Sequence, residues 1–351
     1  MTGSVAGTVE AFRSQAAACG TLGSPMYADL LGAMAEDIAC GGPTRDVLDT
    51  LADGDTEDRG RLALRLAGGL HRLVLAGDAP ELARSYPSVG GVWDVGAAWP
   101  HVREALATHR ESLRASLDQA PQTNEIGRSA ALAGGLLRVA DRFALPVRLI
   151  EIGASAGLNL CMDRFRFGSP SGWWGPVDSR VVLPGAWEGL SPPVDAPLEI
   201  VERTGYDIAP LDVGREEDRR TLEAYTWPDM TERLSRLRAA TAVAQEVPVT
   251  LERRSAGEAL DALELEDGTA TVVWHSVMWP YLDDAEQKRV EARLEALGAT
   301  AGPDRVLARV RLEADDRPEG RYPVTLTTWP FGEATVIGSG PPHGLPVTWT
   351  A

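Results

Sequence analysis

The sequence predicts an α/β protein in which a helical N-terminal region precedes a Rossmann-like, seven-stranded, mostly parallel sheet. Three observations carry the prediction. Residues 1–145 place apolar side chains at helical spacing, with no convincing alternation at period two. From Pro146 onward, short apolar runs alternate with helical stretches, the pattern of a parallel sheet covered on both faces. The first of those runs leads into LIEIGASAGLNL (149–160), a strand, a small-residue turn and a helix start.

Residues 8–19 form a short amphipathic segment, and Ser24-Pro25 caps a helix that ends near residue 39. Residues 57–77 carry Leu62, Leu66, Leu70, Leu73 and Val74 on one helical face. Residues 87–100 (PSVGGVWDVGAAWP) read as an ordered loop, and residues 101–119 and 124–143 return to helix. The strands are 147–152, 198–202, 249–252, 271–274, 305–311, 324–328 and 334–338. Helices lie between them at 156–164, at 216–246 with a break at Trp227-Pro228, and at 284–297. The last two strands follow each other without a helix and so form an antiparallel hairpin at one edge. Seven strands that begin directly after residue 146 match the count of a class I methyltransferase sheet. The expected organisation is a helical region or lid over 1–145 and a Rossmann-like domain over 146–351. Residues 168–197, rich in Pro, Gly and Trp, form an ordered insertion near the site.

Composition narrows the function. Of 351 residues, 44% are hydrophobic and 24% charged, enough for a sizeable core and unlike a disordered or fibrous chain. Acidic residues number 51 against 34 basic ones, a net charge of −17 that repels phosphate backbones and anionic membrane surfaces. Neither nucleic acid nor membrane is an expected partner. Cys19, Cys40 and Cys161 are odd in number and form no CxxC, so neither a disulfide framework nor a cysteine zinc site is expected. No apolar run reaches 18 residues, and the N-terminus shows no basic stretch followed by an apolar one. These features predict a soluble, cytoplasmic protein. His71, His101 and His109 lie on helical segments without ligand spacing, and no metal site is expected.

The turn at residues 151–157 is the sharpest local signal. Gly153 permits a tight turn, while Ser155 and Gly157 let a ligand approach the backbone and the helix start, where free N–H groups cradle a polar or anionic group. One reading is an S-adenosylmethionine loop, in which Glu151 at the strand end receives the ligand's ammonium. A second is a hydrolase nucleophile elbow, because Gly153–Gly157 spells G-x-S-x-G with Ser155 as nucleophile and Asp315 or Asp316 with His343 as partners. An α/β-hydrolase places several strands and an oxyanion loop before its elbow, whereas this chain has helices there. Topology favours the first reading.

Downstream positions fill out a nucleotide-type site across the carboxyl ends of the strands. The second strand ends in Glu202, and the loop after it supplies Asp207 and Asp212; one of the three is the ribose acid. Glu258 sits where an acid meets an adenine amino group, or else where a helix start favours a negative charge. The fourth strand presents His275, Ser276 and Tyr281, with His275 the first candidate for a general base and Tyr281 the second. Asn124, Glu125 and Arg128 at a helix start are placed to contact the amino-acid end of the ligand.

The motifs TNEIGRSAAL, LIEIGASAGLNL, DRFRFG, GYDIAPLDV, WPDMTERLSRLRAA and VVWHSVMWPYL together resemble a bacterial, mainly actinobacterial, domain-of-unknown-function family often labelled methyltransferase-like. The resemblance covers nearly the whole chain. It implies a Rossmann-like methyltransferase fold and carries over Asn124, Glu125, Arg128, Glu151, Gly153, Ser155, Gly157, Asn159, Asp207, Asp212, His275, Ser276 and Tyr281. Ser155 stands where methyltransferases have a middle glycine, and no D/N-PPY motif follows the fourth strand. The expected activity is S-adenosylmethionine-dependent methyl transfer to an oxygen or nitrogen of a small molecule. Three alternatives stand beside it. They are S-adenosylmethionine itself as substrate, by aminocarboxypropyl transfer or cyclisation; a serine hydrolase; and a non-catalytic ligand-binding protein.

Overall fold

The computed structural model describes residues 2–48, 56–118, 121–315, 320–332 and 334–350. Two compact units share the chain: Met1–Thr123 with Arg215–Ser235, and Asn124–Gly214 with Arg236–Ala351. Residues 124–145 group with the second unit, and Arg215–Ser235 returns to the first.

The first unit is helical. Its helices are Thr2–Thr21, Pro25–Ala39, Pro43–Leu48, Thr56–Ala76, Pro80–Ala83, Val95–Thr108, Arg110–Leu117 and Glu216–Ala224. Ser24 caps the second as expected, accepting from the Tyr27 N–H at 3.2 Å. Apolar faces converge on Phe12, Leu30, Leu31, Met34, Leu66, Leu70 and Leu106, all fully buried. The expected loop 87–100 is half helix, because Asp94 accepts the Ala97 N–H at 2.8 Å and starts a helix at Val95. Turn residues before Asp94 had masked that cap.

The second unit is a mixed α/β layer structure. Its strands are β1 (Val147–Ile152), β2 (Arg166–Ser169), β3 (Gly172–Trp174), β4 (Val182–Leu183), β5 (Trp187–Gly189), β6 (Ile200–Asp207), β7 (Thr250–Arg253), β8 (Thr269–Ser276), β9 (Arg305–Leu312), β10 (Tyr322–Trp329), β11 (Ala334–Gly340) and β12 (Val347–Trp349). The main sheet has nine strands in the order β5-β12-β11-β10-β9-β8-β1-β6-β7. Five of them, β7-β6-β1-β8-β9, are parallel to their neighbours, and the order reverses at β1. All six residues of β1 are buried, as a strand covered on both faces requires.

The count of seven is corrected to nine. β10 and β11 pair antiparallel as expected, but β12 and β5 continue the sheet beyond them. Each of these two added strands is three residues long, too short to show alternation. The insertion at 168–197 is ordered, contributing β5 to the main sheet and most of a three-stranded sheet, β3-β2-β4. Phe167 and Trp187 stack there at 5.3 Å. Helix Ser129–Phe143 lies close on the sheet because Gly134 and Gly135 face Trp349 and Val310, where a Cβ would stand 2.0 and 2.7 Å from those side chains. Two further boundaries matter for the site. β6 runs to Asp207 instead of ending at Glu202, and the segment after the glycine turn is a 3₁₀ helix, Leu158–Arg164, not an α-helix from Ala156. Among the described residues no helix is long and apolar enough to cross a membrane, and the three cysteines are free thiols.

Candidate functional site

Glu151 is the last but one residue of β1, at the point where strand order reverses. Its partners across the sheet are Gly205 on β6 and Trp274 on β8. The carboxyl is 2% exposed; its Oε1 accepts the Trp274 Nε1–H at 3.1 Å, while Oε2 has no hydrogen-bond partner among the described residues. Burial pushes its pKa up to about 8, against the opposing pull of Trp274, Asn159 and the Arg128 charge, with Asp207 adding to the rise. Asn159, 1% exposed, leaves its Oδ1 without a partner as well. Two buried acceptor oxygens thus stand unmatched at one strand end, which is costly unless something donates to them.

Around them the structure gathers several expected residues. Asn124 Oδ1 accepts the Leu158 N–H at 2.9 Å and fixes the start of the 3₁₀ helix that carries Asn159. Arg128 donates from Nε to Pro342 O at 3.0 Å and from Nη1 to Ser276 O at 3.4 Å, which ties the end of β8 to the segment after β11. Glu125 is buried; its Oε1 accepts the Gly127 N–H at 3.1 Å and its Oε2 lies 3.8 Å from His343 Nδ1.

The glycine turn does not offer the expected cradle of free N–H groups. Gly153 and Ala154 both donate to Tyr206 O, at 2.8 and 3.1 Å, and Ser155 N–H donates to Asp207 Oδ2 at 2.8 Å. Ser155 O in turn accepts the Leu211 N–H at 3.1 Å. The glycines serve packing: a Cβ on Gly153 would stand 2.9 Å from Met278, and one on Gly157 2.9 Å from Leu251. Gly153, Ser155 and Gly157 all take the left-handed conformation, at φ 72°, 52° and 68°.

The ribose candidates separate. Asp207 closes the loop, its Oδ1 accepting Ala209 N–H at 2.8 Å while Oδ2 holds Ser155. Glu202 is removed from the site: it sits in the amino half of β6, 2.6 Å from Arg148. The strand does not stop there because Arg203–Asp207 continue the ladder with β1 and β7. Glu258 is also corrected. It is the exposed partner in a capping box, accepting Ser255 N–H at 2.9 Å. Asp212 accepts the Gly214 N–H at 2.7 Å and lines a 680 Å³ cavity whose other walls include Ala156, Leu211, Val213, Val249 and Leu251.

His275 is fully buried, and both its ring nitrogens are engaged. Nδ1 lies 2.7 Å from Glu313 Oε1, and Nε2 accepts from Arg309 Nε at 3.0 Å. This fixes the neutral Nδ1–H tautomer, and burial together with Arg309 lowers the pKa. No ring nitrogen is left for a substrate proton, so His275 is corrected from base to structural member. Glu313 also accepts the N–H groups of Met278 and Trp279, at 3.2 and 3.3 Å. Arg309 pairs with Glu291 through two contacts of 2.8 and 2.9 Å, and its guanidinium lies 5.0 Å over the Trp279 ring. This network holds Val277, a β-branched residue at φ 52°. Tyr281 follows on a 3₁₀ turn and is 54% exposed.

Trp274, Arg309 and Glu313 were missed by sequence reasoning. A signal existed: RVLARVRLE places arginines at alternate positions of an apolar strand and an acid directly after it. Of the hydrolase partners, His343 is paired with Glu125, and Asp316 lies outside the described residues. Among the described residues no group of three or more His, Cys, Asp and Glu side chains could hold a metal ion. Comparison with curated proteins and with solved structures finds no match. Residues 9–349 match the family described as an uncharacterized protein conserved in bacteria (DUF2332), and the chain belongs to that family.

Proposed function

We propose that the protein is an S-adenosylmethionine-dependent transferase that moves a methyl group to an oxygen or nitrogen of a small molecule. The observation that carries this reading is Glu151: a buried carboxyl at the reversal point of a parallel sheet, with one oxygen unpartnered and its pKa near 8. Ligands of open α/β sheets bind at that point. An ammonium donating to Glu151 Oε2 and Asn159 Oδ1 would satisfy both orphan oxygens and offset the burial of the charge. The amino-acid end of S-adenosylmethionine has such a group, and its sulfonium supplies an activated methyl. Arg128, which donates to the end of β8, would meet the carboxylate of the same end. With both nitrogens of His275 taken, Tyr281 is the remaining candidate of the original pair for contact with the acceptor.

Calorimetry with S-adenosylmethionine tests the reading. Saturable binding is expected in wild type, with proton release at pH 7, because an ammonium ionises a carboxyl that burial keeps protonated. Glu151→Gln is expected to bind roughly 10- to 100-fold more weakly, the cost of one charge-assisted bond. A folded wild type that shows no heat at millimolar ligand defeats the proposal. Incubation with methyl-labelled S-adenosylmethionine and a cell extract then asks whether the label reaches a product.

One observation favours a second reading. Ser155 occupies the centre of G-x-S-x-G at φ 52°, the strained backbone a nucleophile elbow needs. Esterase activity that vanishes in Ser155→Ala would establish it in place of the first.

A further inference from the structure

The 680 Å³ cavity lined by Asp212 takes no part in the Glu151 reading. Three stretches of the second unit enclose it: Ala156 of the glycine turn, the loop 210–214 after β6, and residues 244–251, which end helix Thr231–Ala244 and enter β7. Its volume falls in the range of small-molecule sites. Leu211, Val213, Val247, Val249 and Leu251 line it, and each is only half-buried. Branched aliphatic side chains from separate segments thus share one space outside the core, where covering them with an apolar body releases water.

The walls are tied to one another. Leu211 N–H donates to Ser155 O at 3.1 Å, and Gln245 Nε2 donates to Val213 O at 2.9 Å, joining the end of the helix to the loop. Asp212 Oδ1 accepts the Gly214 N–H at 2.7 Å and folds the loop on itself. A Cβ on Gly157 would stand 2.9 Å from Leu251 and 3.3 Å from Val249, so the turn packs directly on the β7 wall. These polar groups hold the walls together, and the walls offer an occupant apolar contact.

We propose that this cavity binds an uncharged small molecule with a compact apolar body, seated on Leu211, Val213, Val247, Val249 and Leu251. An anion would lose hydration against aliphatic walls and meet the Asp212 carboxylate, in a chain of net charge −17. A cation gains little, because Asp212 is exposed and water screens it. The site goes beyond the Glu151 reading and does not rest on it, since Glu151, Asn159 and Arg128 are not among its lining residues.

Naphthol, naphthoate and naphthylmethylammonium, titrated separately into the full chain and followed by calorimetry, test the assignment. Saturable naphthol binding is expected, with each charged analogue at least about tenfold weaker, the cost of desolvating its charge without a partner. Ala244→Phe is the informative variant: Ala244 is a half-buried lining residue, so a ring there fills the cavity without displacing a core side chain. It is expected to weaken naphthol about tenfold or more at a Tm that does not fall. If Tm does fall, Val247→Asp, which puts a charge in the same wall, is read in its place with the same loss expected. Glu151→Gln is expected to bind naphthol like wild type. Four results each overturn the proposal: no saturable naphthol binding, a charged analogue binding as tightly as naphthol, the cavity variant binding like wild type, or the loss appearing in Glu151→Gln, which would put the probe at the Glu151 turn.

Discussion

Two buried carboxyls at the carboxyl end of one sheet have opposite fates. Glu313, just after β9, accepts from His275 and from two backbone N–H groups, and through His275 joins Arg309 and Glu291. Glu151, at the end of β1, has the Trp274 indole on one oxygen and, among the described residues, no hydrogen-bond partner of good geometry on the other, with Asn159 close by. A saturated carboxylate fixes structure, because every acceptor site is used to order a neighbour. An unsaturated one stores a cost that a donor from outside can relieve. The contrast separates an acid that builds the loop from one whose second oxygen no described residue satisfies.

That contrast can be broken at the saturated end first. Glu313→Ala strands His275 and frees the Met278 and Trp279 amides, so chemical denaturation should show a loss on the order of 3 kcal/mol. A loss below about 1 kcal/mol would mean that the network does not hold the end of β8.

The unsaturated end should show itself through pH. The Glu151 pKa is near 8 in the folded protein and in the ordinary carboxyl range, about 4.3, when unfolded. The folded state therefore binds the extra proton. Its stabilising contribution is complete below pH ~4.3 and is lost as pH rises through 8. Glu151→Gln, which stays neutral, should keep that stability at pH 9, gaining on the order of 2–4 kcal/mol relative to wild type between pH 5 and 9. Parallel stability curves for the two proteins would show that Glu151 does not titrate in this range.

Ser155→Ala should have the smallest effect. The turn is held by the Ser155 backbone, whose N–H and carbonyl bond to Asp207 and Leu211, and the left-handed conformation is equally strained for alanine. Stability should change by less than about 1 kcal/mol and S-adenosylmethionine affinity by less than about threefold, by denaturation and calorimetry. A much larger loss of affinity would place the hydroxyl itself in the site.

Much of the scaffold was legible in the chain. The apolar run VRLIEI, bounded by Pro146 and Gly153, announces a doubly covered strand, and β1 is that strand. Ser24-Pro25 and the break at Trp227-Pro228 follow from capping and from the missing amide of proline. The site was legible only in part. Glu151 was readable as an acid ending a strand, and Asn124 and Arg128 as polar residues at a helix start. Glu202 and Glu258 misled, because an acid in a strand ladder and an acid in a capping box look alike in one dimension. His275 misled for a related reason: its strand position was read correctly, but its two partners come from β9 and the residue after it.

The sequence by itself determined the longer strands, the break at Trp227-Pro228 and the Ser24 cap, since those depend on neighbours within a few positions and on the period of apolar side chains. It determined the net charge and the acid at the first strand end. Only the tertiary structure decided which acids are satisfied. Hydrogen-bond partners such as Trp274 for Glu151 lie 123 residues apart, and those for His275 and Glu313 lie 38 apart. Burial and partnership set the protonation of a carboxyl, and both are properties of where distant segments meet.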